Sequence, residues 1–251
     1  MKKLLITMLA CCICLLALGQ NENTNLNKKI DEVAISPPAF TGIDNYINLT
    51  APDANNLHNY LVTNIKYPDK AVSCANEGTE VIKFKVNALG KVTNIDIVNG
   101  ICPVINEEIV RVLESTNGKW KPGIRDGIPV SMEQEVSIVF SIEENAEKAH
   151  EKFLAISENC FKKGAKSFYA NGKSKKAERL FTHGIKYMPY DQSLLLMRGL
   201  ARYERGNIEG AQEDWTRLFE LGTLDMNAEF FARVEGLESY KAFLAMKEEN
   251  R

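Results

Sequence analysis

Histidine is the scarcest chemistry-bearing residue in this chain. Three occur in 251 residues, His58, His150 and His183, and none has a second histidine or a cysteine three or four positions away. That removes the helical metal pair. Also missing are a nucleophile elbow, a phosphate loop and, beyond the first twenty residues, a CxxC pair. Charge of one sign is not in excess either. The net value is −2, which gives neither nucleic acid nor an anionic membrane a reason to bind. Without a cofactor signature, a metal set or a catalytic constellation, the expectation is a protein that is not an enzyme. Long hydrophobic runs are lacking as well: the longest, Leu4 to Leu18, has fifteen residues, short of the about 20 that span a bilayer.

That run follows Met1-Lys2-Lys3 and precedes Gly19-Gln20 and a polar stretch, NENTNLNKK. Positive start, short apolar middle and polar exit make residues 1–20 a secretory signal. The expectation is a periplasmic or secreted chain, the alternative an uncleaved anchor in the inner membrane. Cys11, Cys12 and Cys14 sit too early, and behind the wrong residues, for a lipobox. Three cysteines remain. Cys74 and Cys102 are a disulfide candidate in an exported protein, and closing the chain between them would stabilise by about 3–4 kcal/mol. Three free thiols is the other reading, with Cys160 buried on a helix. Residues 21–52, rich in Asn and Thr and holding Pro37-Pro38, read as a linker.

From residue 53 to 142 the pattern tightens. Leu57, Tyr60, Leu61 and Ile65 share a helical face that Tyr67-Pro68 terminates, because proline drives the preceding residue out of the helical region. Residues 80–86 alternate, with Ile82, Phe84 and Val86 on one side and Lys83 and Lys85 on the other. Gly90 suits the hairpin turn to a return strand over 92–98. Residues 104–116 place Ile105, Ile109, Val112 and Leu113 on one helical face. Glu107 and Glu108 fall at the opening of that helix, where acids suit the dipole. Then comes WKPGIRDGIPV, residues 120–130, a tryptophan against two turn signals, and a closing strand with Met132, Val136, Ile138 and Phe140 opposite Glu133, Glu135 and Ser137. The fold class is α+β: a small antiparallel sheet with two helices on one face, and Trp120 filling the gap between helix and sheet at a rigid corner.

Residues 143–251 are helical in pattern, starting with 143–163, which hold neither glycine nor proline until Gly164. Aligning 158–191 with 192–225 matches Ala165 to Gly199, Gly172 to Gly206, Ala177 to Ala211, Phe181 to Trp215 and Ile185 to Phe219. A 34-residue period with a small residue at the helix contact, glycine at the turn and an aromatic on the second helix is the pattern of tetratricopeptide repeats. Residues 226–247, with Phe230, Phe231, Val234, Leu237, Tyr240 and Phe243, suit a capping helix. Between Lys162 and Arg179 seven basic residues face one acid, Glu178. Such a run is either a solvated helix face or a surface for an acidic peptide.

The segment from Leu57 to Phe140 resembles the C-terminal domain of the TonB family. The residues that carry the resemblance are Ile65-Lys66-Tyr67-Pro68, Gly78, Gly90, Glu107-Glu108, Trp120-Lys121-Pro122-Gly123, Gly127, Pro129-Val130 and Phe140. Tyr67, Pro68, Gly90, Trp120, Pro122 and Gly123 are the structural motif. The resemblance implies that the sheet receives a short extended peptide of an outer-membrane receptor by strand addition. The candidate edge is the closing strand: Glu135, Val136, Ser137, Ile138, Val139 and Phe140. That strand being internal, or pairing with a second copy, is the alternative. An energised transducer would need an anchor and a long stiff spacer, whereas residues 21–52 reach about 100 Å at most. The expected protein is therefore an exported adaptor, with a peptide on its sheet and a second protein partner on its repeats. The alternative is a membrane-anchored transducer of TonB type.

Overall fold

The alternation at residues 80–86 becomes the central strand of a three-stranded antiparallel sheet. A computed structural model of the chain describes residues 34–42, 54–222 and 233–250. The expected signal at 1–20 and Phe230 and Phe231 of the expected cap lie outside the described residues. Two compact units emerge, one holding the described residues up to 75 with 80–139, the other 76–79 with 140–250.

In the first unit the order is β1 (Ile35–Ser36), β2 (Ala39–Phe40), α1 (Ala54–Asn64), α2 (Asp69–Ser73), β3 (Gly78–Val86), β4 (Val92–Asn99), α3 (Pro103–Glu114), β5 (Trp120–Lys121), β6 (Gly123–Arg125), β7 (Ile128–Val130) and β8 (Met132–Phe140). Three sheets result: β4-β3-β8, β1-β6-β7 and β2-β5. Ile82, Phe84 and Val86 are fully buried while Lys85 is exposed, as period-two alternation requires. Pro103 opens α3 at a position where its missing N–H costs nothing. The helix buries Ile105, Ile109, Val112 and Leu113 and packs on α1 and β4. Each such side chain removed from water stabilises by about 1.5–3 kcal/mol.

Residues 34–42 are a correction to the expected linker. Ile35 and Ser36 pair with Arg125 and Ile124, and Ala39 and Phe40 with Lys121 and Trp120. Asp126 holds the entry to this segment: its N–H donates to the Ala34 carbonyl (2.9 Å) and its Oδ1 accepts from the Ala34 N–H (3.1 Å). Pro37 and Pro38 fit because they fall between two-residue strands at sheet edges, where proline removes no ladder bond. Asp126 and Gly127 both take positive φ, +51° and +79°. This is the two-residue hairpin turn whose twist matches its strands.

The second unit is helical: α4 (Ala146–Ala165), a single π turn (Lys166–Ala170), α5 (Ser174–Tyr187), α6 (Gln192–Tyr203), α7 (Ile208–Glu220) and α8 (Glu238–Glu249). Asn145, Asp191 and Asn207 cap α4, α6 and α7, each accepting the N–H three residues on. Gly172 and Gly206 both take positive φ at the turns between paired helices. A single core runs through Phe181, Leu194, Leu200, Trp215, Leu218 and Phe243. Of the expected cap at 226–247, the part up to residue 232 lies outside the described residues; Val234, Tyr240 and Phe243 are buried, and α8 begins at Glu238 with Leu237 as its extended N-cap. Phe243 meets Trp215 edge-on at 5.7 Å and stacks on Phe219.

One pairing in the repeat shifts. A Cβ on Gly164 would lie 2.5 Å from the Phe181 ring, and one on Gly199 would lie 2.2 Å from the Trp215 indole. The small residue matching Gly199 is therefore Gly164, not Ala165. These two glycines are 35 positions apart and the turn glycines 34 apart. The one extra residue falls in the stretch that contains the π turn, the form by which a helix absorbs a single insertion.

Candidate functional site

The corner at residues 120–130 is built from the tryptophan outward. Trp120 is buried and its indole N–H donates to Thr116 Oγ1 at 3.0 Å. Phe40 and Phe84 meet it edge-on at 5.2 and 5.5 Å, the arrangement that aromatic quadrupoles favour. Gly90, in the β3–β4 turn, has φ +72°, and a Cβ there would stand 2.2 Å from the Trp120 carbonyl oxygen. Gly123, after Pro122, packs on Met132, whose sulfur would lie 2.4 Å from an added Cβ. Gly90 is thus packed against Trp120, and Gly123 against Met132 of β8. Phe40 belongs to this corner although the sequence pattern does not mark it.

Tyr67-Pro68 joins α1 to α2, and Glu108 fastens this junction. Its Oε1 accepts the Lys66 N–H at 2.7 Å, while Arg111 forks onto both oxygens at 2.7 and 2.8 Å. Because α3 begins at Pro103, Glu107 and Glu108 lie beyond its first turn. Glu108 acts as a clamp and not as a dipole partner, which corrects the expectation. The Arg111 guanidinium, and with it the Lys66 N–H, holds the Glu108 carboxyl below the usual range although burial opposes this. A depressed carboxylate contributes stability above its unfolded pKa and loses it as pH falls through the folded value. The stability gap between wild type and Glu108→Gln is therefore expected to shrink as urea titrations are moved from pH 6 to pH 3.

Glu80 is a further residue the sequence does not single out. Fully buried in β3, it accepts the Ile101 N–H at 2.8 Å just ahead of α3. With its amide nitrogen turned inward, Asn106 donates to Glu80 at 2.9 Å and to the Cys102 carbonyl at 2.7 Å. This ties the chain at 80 to the chain at 101. The expected Cys74–Cys102 bridge is absent and is corrected here: both are free thiols. Cys74 is exposed at the end of α2, while Cys102 serves as the extended N-cap of α3, its carbonyl accepting from Ile105 and Asn106. Cys160 is free and buried, and burial raises its thiol pKa.

Strands β4 and β8 are the outer strands of the main sheet. They differ as edges. Along β4 the partners of Lys85, Lys83, Ile82 and Val81 are Thr93, Asp96, Ile97 and Asn99, so β4 carries two one-residue bulges, with Asn94 at φ +50°. Bulges twist an edge and interrupt the row of groups it offers. In β8 Val136, Ile138 and Phe140 are buried, Glu135 and Val139 are half-buried, and Glu133 pairs with Lys83 at 3.5 Å. Ser137 is buried at 3 % exposure, where plain alternation had set it on the solvent face with Glu133 and Glu135.

Among the described residues no group of His, Cys, Asp and Glu could hold a metal ion, and no helix is long and apolar enough to cross a membrane.

Residues 63–142 match the family model described as Gram-negative bacterial TonB protein C-terminal. The match covers about a third of the chain, and the helical unit follows it. No curated protein matches the chain.

Proposed function

We propose that the chain is an exported, non-enzymatic adaptor of the bacterial envelope. Its TonB-type domain takes an extended peptide along β8 at residues 135–140, and its helical unit, a pair of tetratricopeptide-like repeats with a cap, takes a second protein. The observation that carries the first part is the contrast between the two outer strands: β4 is broken by bulges, while β8 is the nine-residue strand at the other side. An extended peptide added there gains main-chain hydrogen bonds, and alternate side chains select it. The partner this implies is a segment of an outer-membrane receptor.

Neighbouring residues of an antiparallel strand direct their N–H groups to opposite sides. Single proline variants at Gln134 and Glu135 therefore separate the two ladders. One variant is expected to lose stability through the bond to β3. The other is expected to keep the melting temperature and weaken receptor-peptide binding at least tenfold, about 1.4 kcal/mol, read by titration against an array of receptor-derived peptides. If both folded variants bind as wild type does, β8 is not the receiving edge.

A membrane-anchored transducer is the second reading, and the pairing of β1 weighs against it. With Ile35 already in a strand, residues 19–34 alone separate the apolar run from the domain, about 55 Å at full extension. Fractionation with the mass of the mature chain discriminates: a soluble form starting near Gln20 supports the adaptor, and a full-length form in the inner membrane supports the transducer.

A further inference from the structure

Helix α5 starts in a way that its own physics disfavours. Lys173 is the N-cap and offers no side-chain acceptor, and Lys175, Lys176 and Arg179 follow within the first two turns. A helix N-terminus carries the positive end of the dipole and prefers acids. Lys175 and Arg179 also stand four residues apart, a repulsive spacing for like charges. Among the described residues none of these four cations has an ion-pair partner, and the one acid nearby, Glu178, is engaged by Arg202 and Arg205. Where a local preference is broken without compensation in the fold, a functional demand is the first explanation.

The four cations are exposed and line a shallow, open depression. With Arg205 and Glu204, from the turn after α6, they surround an open cleft of ≈ 570 Å³. Glu204 is already occupied, accepting the Ser239 N–H at 3.2 Å. A second cleft of ≈ 640 Å³ shares Gly172, Ser174 and Glu204 with the first and continues to Phe168 and Tyr169 of the π turn, with Leu237 and Arg233 on its far side. A small ion would fill neither. A chain with carboxylates at one end and an apolar side chain at the other matches both.

We infer that this cleft is the docking site for an acidic peptide segment of a protein partner, its carboxylates set against Lys173, Lys175, Lys176 and Arg179. The inference rests on the helical unit being a binding surface, and it supplies the chemistry of the ligand. The bound carboxylates supply the negative charge that the start of α5 lacks.

The test uses the full mature chain and hexaglutamate as probe, titrated at low and at high salt. Binding is expected at low salt and is expected to weaken about tenfold or more at high salt, since exposed charges are screened. In the triple variant Lys175→Gln, Lys176→Gln, Arg179→Gln, binding should fall about tenfold or more. Its melting temperature should stay level or rise, because the cations opposed the dipole. No binding at low salt, or equal binding by the triple variant, overturns the inference and leaves a solvated basic face. Competition by inorganic phosphate as effective as hexaglutamate, or binding to anionic vesicles without binding to hexaglutamate, also overturns it. The proline variants of β8 are run in parallel: hexaglutamate binding should be the same in them, so failure at one site is distinguishable from failure at the other.

Discussion

Gly90→Val is expected to destabilise the TonB-type domain by about 3–5 kcal/mol, enough to unfold a domain of ordinary stability. Two effects add. The φ of +72° is strained for any residue with a Cβ, and that Cβ would meet the Trp120 carbonyl at 2.2 Å. Backbone cannot swing aside as a lysine tip can, so the corner must move or the turn must open. Gly127→Val separates the two effects. Gly127 has φ +79° and nothing within 4 Å of an added Cβ, so the backbone term alone, about 1–2 kcal/mol, remains. Urea unfolding of the two variants should therefore differ by about 2 kcal/mol or more. Equal losses would mean that the contact between the hairpin turn and the tryptophan corner is not what fixes this glycine.

Asp214→Ala is expected to cost the helical unit about 3–5 kcal/mol, the usual result of removing one partner from a buried ion pair. Asp214 is 3 % exposed. Arg198 grips both its oxygens, with Nη2 at 2.5 Å from Oδ1 and Nε at 3.0 Å from Oδ2, and Arg202 reaches Oδ2 at 3.1 Å. Burial pushes the Asp214 carboxyl up and the two arginines pull it back, without fully offsetting the burial. In the alanine variant both guanidinium groups face a buried gap. The contrasting variant replaces Arg198, Arg202 and Asp214 together by Met, Met and Leu. It should be more stable than Asp214→Ala, because no buried charge is stranded. Thermal unfolding followed by Trp215 fluorescence in a Trp120→Phe background reads both. If Asp214→Ala melts with wild type, the network is a surface arrangement with no share in stability.

What was legible in the sequence follows from where periodicity carries information. The β3 alternation, the buried face of α3 and the glycines at 172 and 206 were readable because each obeys a regular spacing. The strands at residues 35–36 and 39–40 were not, since two residues make no period and a composition of Asn, Thr and Pro mimics a linker. Phe40 shows the cost of that: the aromatic that closes the Trp120 corner lies about 80 residues upstream. Glu80 and Glu108 were hidden because a carboxylate reads as solvent-facing until its backbone donors are known. The shift from Ala165 to Gly164 escaped because a search at fixed period admits no inserted residue. For the candidate edge, the sequence supplied the strand, while the bulges that distinguish β4 from β8 exist only in the pairing register.

The lock between Ala34 and Asp126 decides how this domain would meet a mechanical load. A tether on the N-terminal side enters at the tip of the β6–β7 hairpin and runs back along it toward Trp120. A pull along that axis shears both short ladders together, so their hydrogen bonds resist as a group. A pull across it opens them in sequence, starting at Ala34 and ending at Phe40, where the aromatic contacts with Trp120 and Tyr60 form the last latch.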